Sequence, residues 1–429
     1  MTVSSHPPRV KPSLVQPPLP SRRHRLAQHL RDLLPDLAAF CGALLCAGLA
    51  AVLTGMLAGC GGGVGSEGTG TGAVGSFSSG TITGFGSIVV NGVHFDESSA
   101  LVQDDDGLTV ARSSLALGMV VQVTGGPQAT AADGTPTAVA SAVRTDRALV
   151  GPAAAIVVDA ATSAGSLSVL GQAVLVSADT VFDTRLTGGL AQLSAGQLVE
   201  VYGYYDSTRA AYTATRIAPA DVGTGYRVSG PVAAVDMQAK TFTLGSQTYS
   251  VVGSSSPANG DQVRLKLQPN TDSGGRWVVS TAKPDDAAPK DSAGAEIDGV
   301  VSALLGASRF VVNGVTVDTS AAKLSGPVLV GSKVEVSGKL KSGVLLASSV
   351  QVDSGSAKTF ELSGGLSSLD TANRRFVVRG TAVSYARADV QFSGGTAARL
   401  VGYTGKLKVE GLLSTDRTVL DAVRIKFDD

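Results

Sequence analysis

Side chains able to do chemistry are sparse in this chain. Beyond the first 59 residues there is one histidine, His94, and one cysteine, Cys60. A single imidazole cannot build a zinc site unaided, and a single thiol excludes an intrachain disulfide, so neither a metal nor a cofactor is expected. His94 would have to serve any Ser-His-Asp system. It follows Asn91-Gly92-Val93, where a later copy of the same motif carries Thr316, and is expected to face solvent with no catalytic role. The run Asp104-Asp105-Asp106-Gly107 is acidic enough for calcium, but calcium loops alternate their ligands, and three consecutive aspartates before a glycine suit a solvated turn. The best candidate ligand face is EVYGYYDSTRAAY and its continuation, where Tyr202, Tyr204, Tyr205 and Tyr212 gather near Arg209 and Arg216. Phenol rings and guanidinium groups offer stacking surfaces to a sugar or a base. The competing expectation is that these rings pack a barrel core.

These residues sit in a chain of 429 residues with 53 glycines, 5% aromatics and 16% charged groups, a composition suited to short strands and tight turns. Basic and acidic residues number 35 each, but residues 1–59 hold six basic and two acidic residues, so the remainder is mildly acidic. Such a body lacks the basic footprint that nucleic acid demands, and no nucleic-acid partner is expected.

Cys60 ends an uncharged run from Leu37 to Gly59 that follows an arginine-rich segment, the order of a secretory signal. Leu57-Ala58-Gly59-Cys60 resembles the lipobox of bacterial prolipoproteins, in which a signal peptidase cuts before a cysteine whose thiol carries a diacylglycerol. The resemblance implies a signal peptide over 1–59, a lipid on Cys60 and a membrane partner reached through that anchor. A retained apolar helix is the alternative, because the run approaches the length that spans a bilayer. Residues 60–79, rich in Gly and Ser, read as a flexible tether. Gly61 in place of aspartate favours, by the same resemblance, export to the outer membrane.

Behind the tether one pattern recurs five times. SIVVNGVHFDESSA at 87 and RFVVNGVTVDTSAA at 309 share VVNGV and an aspartate at the same offset, Asp96 and Asp318, and weaker copies begin at 168, 242 and 376. Each copy opens on a glycine-marked strand, continues through a hairpin and an alternating central strand, and closes on another strand. Asn91-Gly92 and Asn313-Gly314 predict two-residue hairpins. The modules are expected over 80–147, 149–217, 226–283, 295–353 and 359–427. Residues 284–294 form a linker hinging a front set of three modules to a rear pair.

Five strands in about 70 residues, polar on one face, bury the other face by closing into a small barrel. The fold class is all-β: tandem five-stranded OB-like barrels after an N-terminal signal helix. GTITGFGSIVVNGVHFDESSA followed by LALGMVVQVTG resembles the bacterial family known as domain of unknown function 5666, most closely in the first copy. That family is OB-like and occurs in lipoproteins. The functional expectation is a lipid-anchored envelope protein, not an enzyme, whose repeats bind a polysaccharide or an envelope protein. The alternative is a secreted polysaccharide hydrolase with carboxylates at a module junction.

Overall fold

The computed structural model describes residues 74–428, apart from 160, 163, 222, 253–256, 285–287 and 290. The signal segment, Leu57, Ala58, Gly59, Cys60 and most of the tether lie outside the described residues. Within them there is no α-helix, only strands and three short 3-10 turns, and so no helix long and apolar enough to cross a membrane.

Module 1 holds β1 (Val74–Phe85), β2 (Ile88–Val90), β3 (Val93–Asp96), β4 (Leu101–Gln103), β5 (Val120–Gly125), β6 (Ala129–Thr130) and β7 (Pro136–Thr145). Module 2 holds β8 (Leu149–Val158), β9 (Gly165–Val169), β10 (Gln172–Phe182), β11 (Leu198–Asp206) and β12 (Ala211–Pro219). Module 3 holds β13 (Arg227–Asp236), β14 (Thr241–Leu244), β15 (Gln247–Val251), β16 (Gln262–Thr271) and β17 (Trp277–Pro284). Module 4 holds β18 (Ser292–Leu304), β19 (Arg309–Val312), β20 (Val315–Asp318), β21 (Lys323–Leu324), β22 (Lys333–Lys341) and β23 (Val344–Val352). Module 5 holds β24 (Phe360–Asp370), β25 (Arg375–Val378), β26 (Thr381–Ser384), β27 (Gln391–Ser393), β28 (Lys406–Leu413) and β29 (Leu420–Asp428).

Every module closes in the same way. In module 2, β8 pairs antiparallel with β9 and β9 with β10; β10 then runs parallel to β12, which pairs antiparallel with β11, and β11 returns to β8. The opening strand thus pairs at both edges, and a five-stranded ring with the strand order of an OB-fold results. Module 4 repeats the circuit through β18, β19, β20, β23 and β22. Closure removes the free edges that short, glycine-rich strands would otherwise expose.

The alternation expected of the central strands is present. Val334 and Val336 of β22 and Val199 and Val201 of β11 are fully buried, while Glu335 and Glu200 between them point outward. Both Asn-Gly hairpins take positive φ at both turn residues, 52° and 73° at Asn91-Gly92 and 49° and 76° at Asn313-Gly314. The asparagines also tie the hairpin to the opening strand: Asn91 Nδ2 donates to the Ser79 carbonyl at 3.0 Å and Asn313 Nδ2 to the Asp298 carbonyl at 2.9 Å. A Cβ on the next residue, Gly80 or Gly299, would lie 2.2 or 2.4 Å from the asparagine Oδ1, which explains why each opening strand carries its glycine.

Between modules the arrangement departs from the sequence reading. Strand β1 begins at Val74, so residues 74–79, assigned to the tether, are strand. They run parallel to Ser292–Ile297 of β18 while Ser76–Thr81 pair antiparallel with β5. Farther along, Gly84 and Phe85 run parallel to Glu361 and Leu362 of β24. Among the described residues buried side chains form three apolar clusters, not five: one spans modules 1 and 5, one spans modules 2 and 3, and the third is module 4 with Phe77 of β1 seated inside it. No front-and-rear division exists along these contacts, because the chain that leaves the expected hinge enters β18 and joins module 1 at once. Phe77, flanked by Ser76 and Ser78 in a segment resembling a tether, carries no periodic signal that could announce this.

Candidate functional site

A cavity of about 550 Å³ opens where modules 1, 2 and 5 meet. Its apolar lining comes from Leu117 and Met119 of module 1, Val181 of β10, and Leu413 and Leu420 of module 5. Its polar wall alternates in sign: Arg147, Arg185, Arg216, Arg379 and Arg417 interleave with Asp104, Asp183, Glu200 and Asp221.

Arg216 organises this wall. It sits on β12 opposite Tyr202 of β11, and its side chain is 7% exposed. Nη1 donates to the Leu117 carbonyl at 3.1 Å and Nη2 to Asp183 Oδ2 at 2.5 Å, so one side chain fastens module 2 to module 1 while presenting its charge to the cavity. Its buried Nε has no hydrogen-bond partner among the described residues. Thr215 beside it donates to the Gly118 carbonyl at 2.7 Å. Arg185 Nε donates to Asp183 Oδ1 at 2.8 Å, Arg379 Nε to the Ser363 carbonyl at 3.0 Å, and Arg417 Nη2 to the Thr162 carbonyl at 2.9 Å. Arg147 Nη1 lies 3.5 Å from Glu200 Oε2.

The two carboxylates respond differently. Burial pushes Glu200 above the usual range, and the nearby charges of Arg147 and Arg216 offset it only in part. Burial pushes Asp183 the same way, but hydrogen bonds from Arg185 and the charges of Arg216 and Arg185 outweigh it and hold the group below that range.

The proposed tyrosine face is divided by this geometry. Tyr202 and Arg216 line the cavity, but Tyr204 and Tyr212 are buried between modules. Tyr204 Oη lies 3.3 Å from Thr81 Oγ1 of module 1, and Tyr212 Oη donates to the Ser229 carbonyl of module 3 at 3.0 Å. Arg209 is 65% exposed and, among the described residues, pairs with Asp206 of its own turn at 3.5 Å. Tyr204 and Tyr212 are therefore joints between modules, while Tyr202 stays on the cavity wall; a register shift between Tyr202 and Gly203 turns the rest of β11 away from it. Trp277 is a joint too, donating from Nε1 to the Leu170 carbonyl of module 2 at 3.1 Å.

The acidic run is not a solvated turn. Asp104 Oδ1 accepts the backbone amides of Asp106 and Leu108, both at 2.9 Å, and shapes the turn; Asp105 and Asp106 then meet cations from elsewhere. Asp105, 3% exposed, is gripped by Arg147, and Asp106 by Arg227 and by Lys266 at 2.8 Å. Among the described residues this is the one close group of metal-type ligands, and three basic side chains satisfy it. His94 Nδ1 lies 3.3 Å from Ser87 Oγ in a cleft between modules 1 and 5, not in open solvent.

Residues 157–218 and 298–351 match a family model described as a domain of unknown function, DUF5666. The match falls on modules 2 and 4, which resemble that family. The matched stretches leave out the first eight residues of β8 and the first six of β18, and they do not include module 1, where the sequence reading expects the strongest resemblance. No curated protein matches the chain. The barrel of module 2 supplies Arg216, Glu200, Asp183 and Tyr202 to the cavity, and its neighbours complete the walls. Arg147 and Arg417 could have been suspected from sequence only by knowing which modules touch.

Proposed function

We propose that this chain is a non-catalytic envelope lipoprotein, anchored through Cys60, whose barrels form one platform that binds a saccharide in the cavity between modules 1, 2 and 5. The observation that carries the reading is the wall itself: cations and carboxylates of alternating sign over an apolar base, in a volume within the range of small-ligand sites. Neutral sugars pair hydroxyl groups with both signs of charge and lay C–H faces on apolar surface. The lipobox-like Leu57-Ala58-Gly59-Cys60 supports the envelope address.

A glycan array probed with the full chain, followed by calorimetry, tests this reading. Arg185→Gln, at a half-exposed site on the cavity rim, should weaken a captured glycan ~3- to 10-fold without unfolding the protein. Absence of any glycan ligand would overturn the binding role. Mass spectrometry should find an acylated N-terminus at Cys60, and a native chain beginning at Met1 would overturn the anchor.

The runner-up reading, a hydrolase, is favoured by Glu200 and Asp183 lining one cavity with their proton affinities driven apart. Against it, Asp183 Oδ1 accepts from the backbone and side chain of Arg185 and Oδ2 from Arg216, ion pairs that lower the carboxylate's nucleophilicity. Turnover of a captured glycan that is lost in Glu200→Gln would reverse the order of the two readings.

A further inference from the structure

In every module the second and third strands are joined by a two-residue turn whose first residue is left-handed: Asn91, Leu170, Gly245, Asn313 and Arg379, with φ between 48° and 54°. Glycine and asparagine take this conformation at least cost, whereas a leucine or an arginine is strained there. Each strained residue therefore calls for something that offsets its strain. For Leu170 it is the core of module 2: the side chain is 3% exposed, and a Cβ on Gly151 of the opening strand would lie 2.6 Å from its Cγ. Arg379 is exposed, so burial gives no such account of it.

Part of what Arg379 does is what the asparagines do. Its Nε donates to the Ser363 carbonyl, just before Gly364 of β24, as Asn91 and Asn313 donate to the carbonyls before Gly80 and Gly299. Its Cγ lies 3.2 Å from the place a Cβ on Gly364 would take. An asparagine would make the same tie with less strain, so the tie alone does not explain an arginine. What arginine adds is the edge of the guanidinium that carries Nη1 and Nη2, on a side chain that lines the cavity between modules 1, 2 and 5. Elsewhere on that wall Arg147 pairs with Glu200, and Arg185 and Arg216 with Asp183. Arg379 pairs with no carboxylate among the described residues, and its one hydrogen bond there is the tie through Nε.

We infer that the saccharide taken by this cavity is acidic, a uronic-acid glycan whose carboxylate is received by Arg379; this rests on the saccharide reading above and narrows it. The Nη1–Nη2 edge presents two parallel N–H bonds at the spacing of two carboxylate oxygens. The tie to Ser363 and the seat over Gly364 hold that edge in place before the ligand arrives, which lowers the entropic cost of binding. The hydroxyl groups of the same sugar meet the alternating wall.

The test is an array that holds each oligosaccharide both as the uronic acid and as its carboxyl-reduced neutral counterpart, probed with the full chain and followed by calorimetry on what is captured. The uronic form should bind ~10-fold or more tighter than the neutral form, with the gap narrowing at high salt. Arg379→Asn keeps the turn and the tie, so it should melt no lower than the parent while the gap closes to within ~2-fold and the neutral form binds as before. On the parent chain the captured uronate should shield Arg379 from phenylglyoxal, read by peptide mass spectrometry without any variant. Equal capture of neutral and uronic forms would overturn the inference and leave the saccharide reading standing, as would a gap that persists in Arg379→Asn or an Arg379 left unshielded. A lower melting temperature in Arg379→Asn would also overturn it, because the fold would then account for the arginine. Capture of no glycan in either form would overturn the saccharide reading and this inference with it.

Discussion

Asp106 shows how much one side chain decides here. Its carboxyl is held well below the usual carboxylate range, first by the hydrogen bond from Arg227 and then, against the opposing effect of burial, by Lys266. A depressed folded pKa contributes stability in full above the unfolded value of ~4, and that contribution disappears as pH falls through the range between the unfolded and folded values. Asp106→Asn should therefore cost ~1 kcal/mol at pH 7, seen as a lower melting temperature, and the gap from the parent should close below pH ~4. An unchanged difference at pH 3 would show that Asp106 acts through packing alone. The same residue marks where sequence reading stops. Three aspartates before a glycine are a turn by local chemistry, and the turn is there. Their partners Arg147, Arg227 and Lys266 lie from about 40 to 160 positions downstream, and no local pattern links them.

Strands carry the next layer of consequence. Val334 of β22 is 1% exposed in the core of module 4, and a lysine there would bury an ammonium without a partner. Val334→Lys should unfold module 4, but the loss should not end at its boundary. Strand β22 pairs with β18, β18 runs parallel to the first residues of β1, and Phe77 of β1 is part of the module 4 core. Hydrogen exchange should therefore show amides of Ser76–Ser79 losing protection together with module 4, while β14 and β15 of module 3 keep theirs. Confinement of the loss to residues 292–352 would sink this coupling. The strands themselves were legible: glycine-marked openings, Asn-Gly hairpins and alternating central strands all lie within a few residues of one another, where hydrogen bonding and side-chain alternation are local matters.

The five modules are tied together because their apolar cores cross module boundaries. Modules 1 and 5, remote in sequence, share a cluster that also takes Tyr202 and Tyr204 from module 2 and Val300 from module 4. Ending the chain at Pro284 would strip β18 and β24 from β1 and leave Phe77 and Phe85 without their cover. Such a truncation should aggregate or melt well below the full chain, as scanning calorimetry and gel filtration would record. A monomeric fragment with an undiminished melting temperature would mean that modules 1 to 3 need nothing from the rear pair. The cavity is a product of this level of organisation, since it is walled by more than one module.

By itself the sequence determined the repeating unit: five strands, a turn chemistry, an inside and an outside face, and so a closed barrel of OB-like type, repeated. It also carried the lipobox-like segment before Cys60. Tertiary structure alone decided that β1 would serve modules 1, 4 and 5, that Tyr204 and Tyr212 would be joints, and that arginines from distant positions would converge on one cavity. The reason is physical. Strand and hairpin formation is governed by residues within a dozen positions of each other, whereas docking of finished barrels depends on which outer faces match in shape and charge. In imperfect repeats of one barrel those faces are set by scattered single residues with no period to betray them.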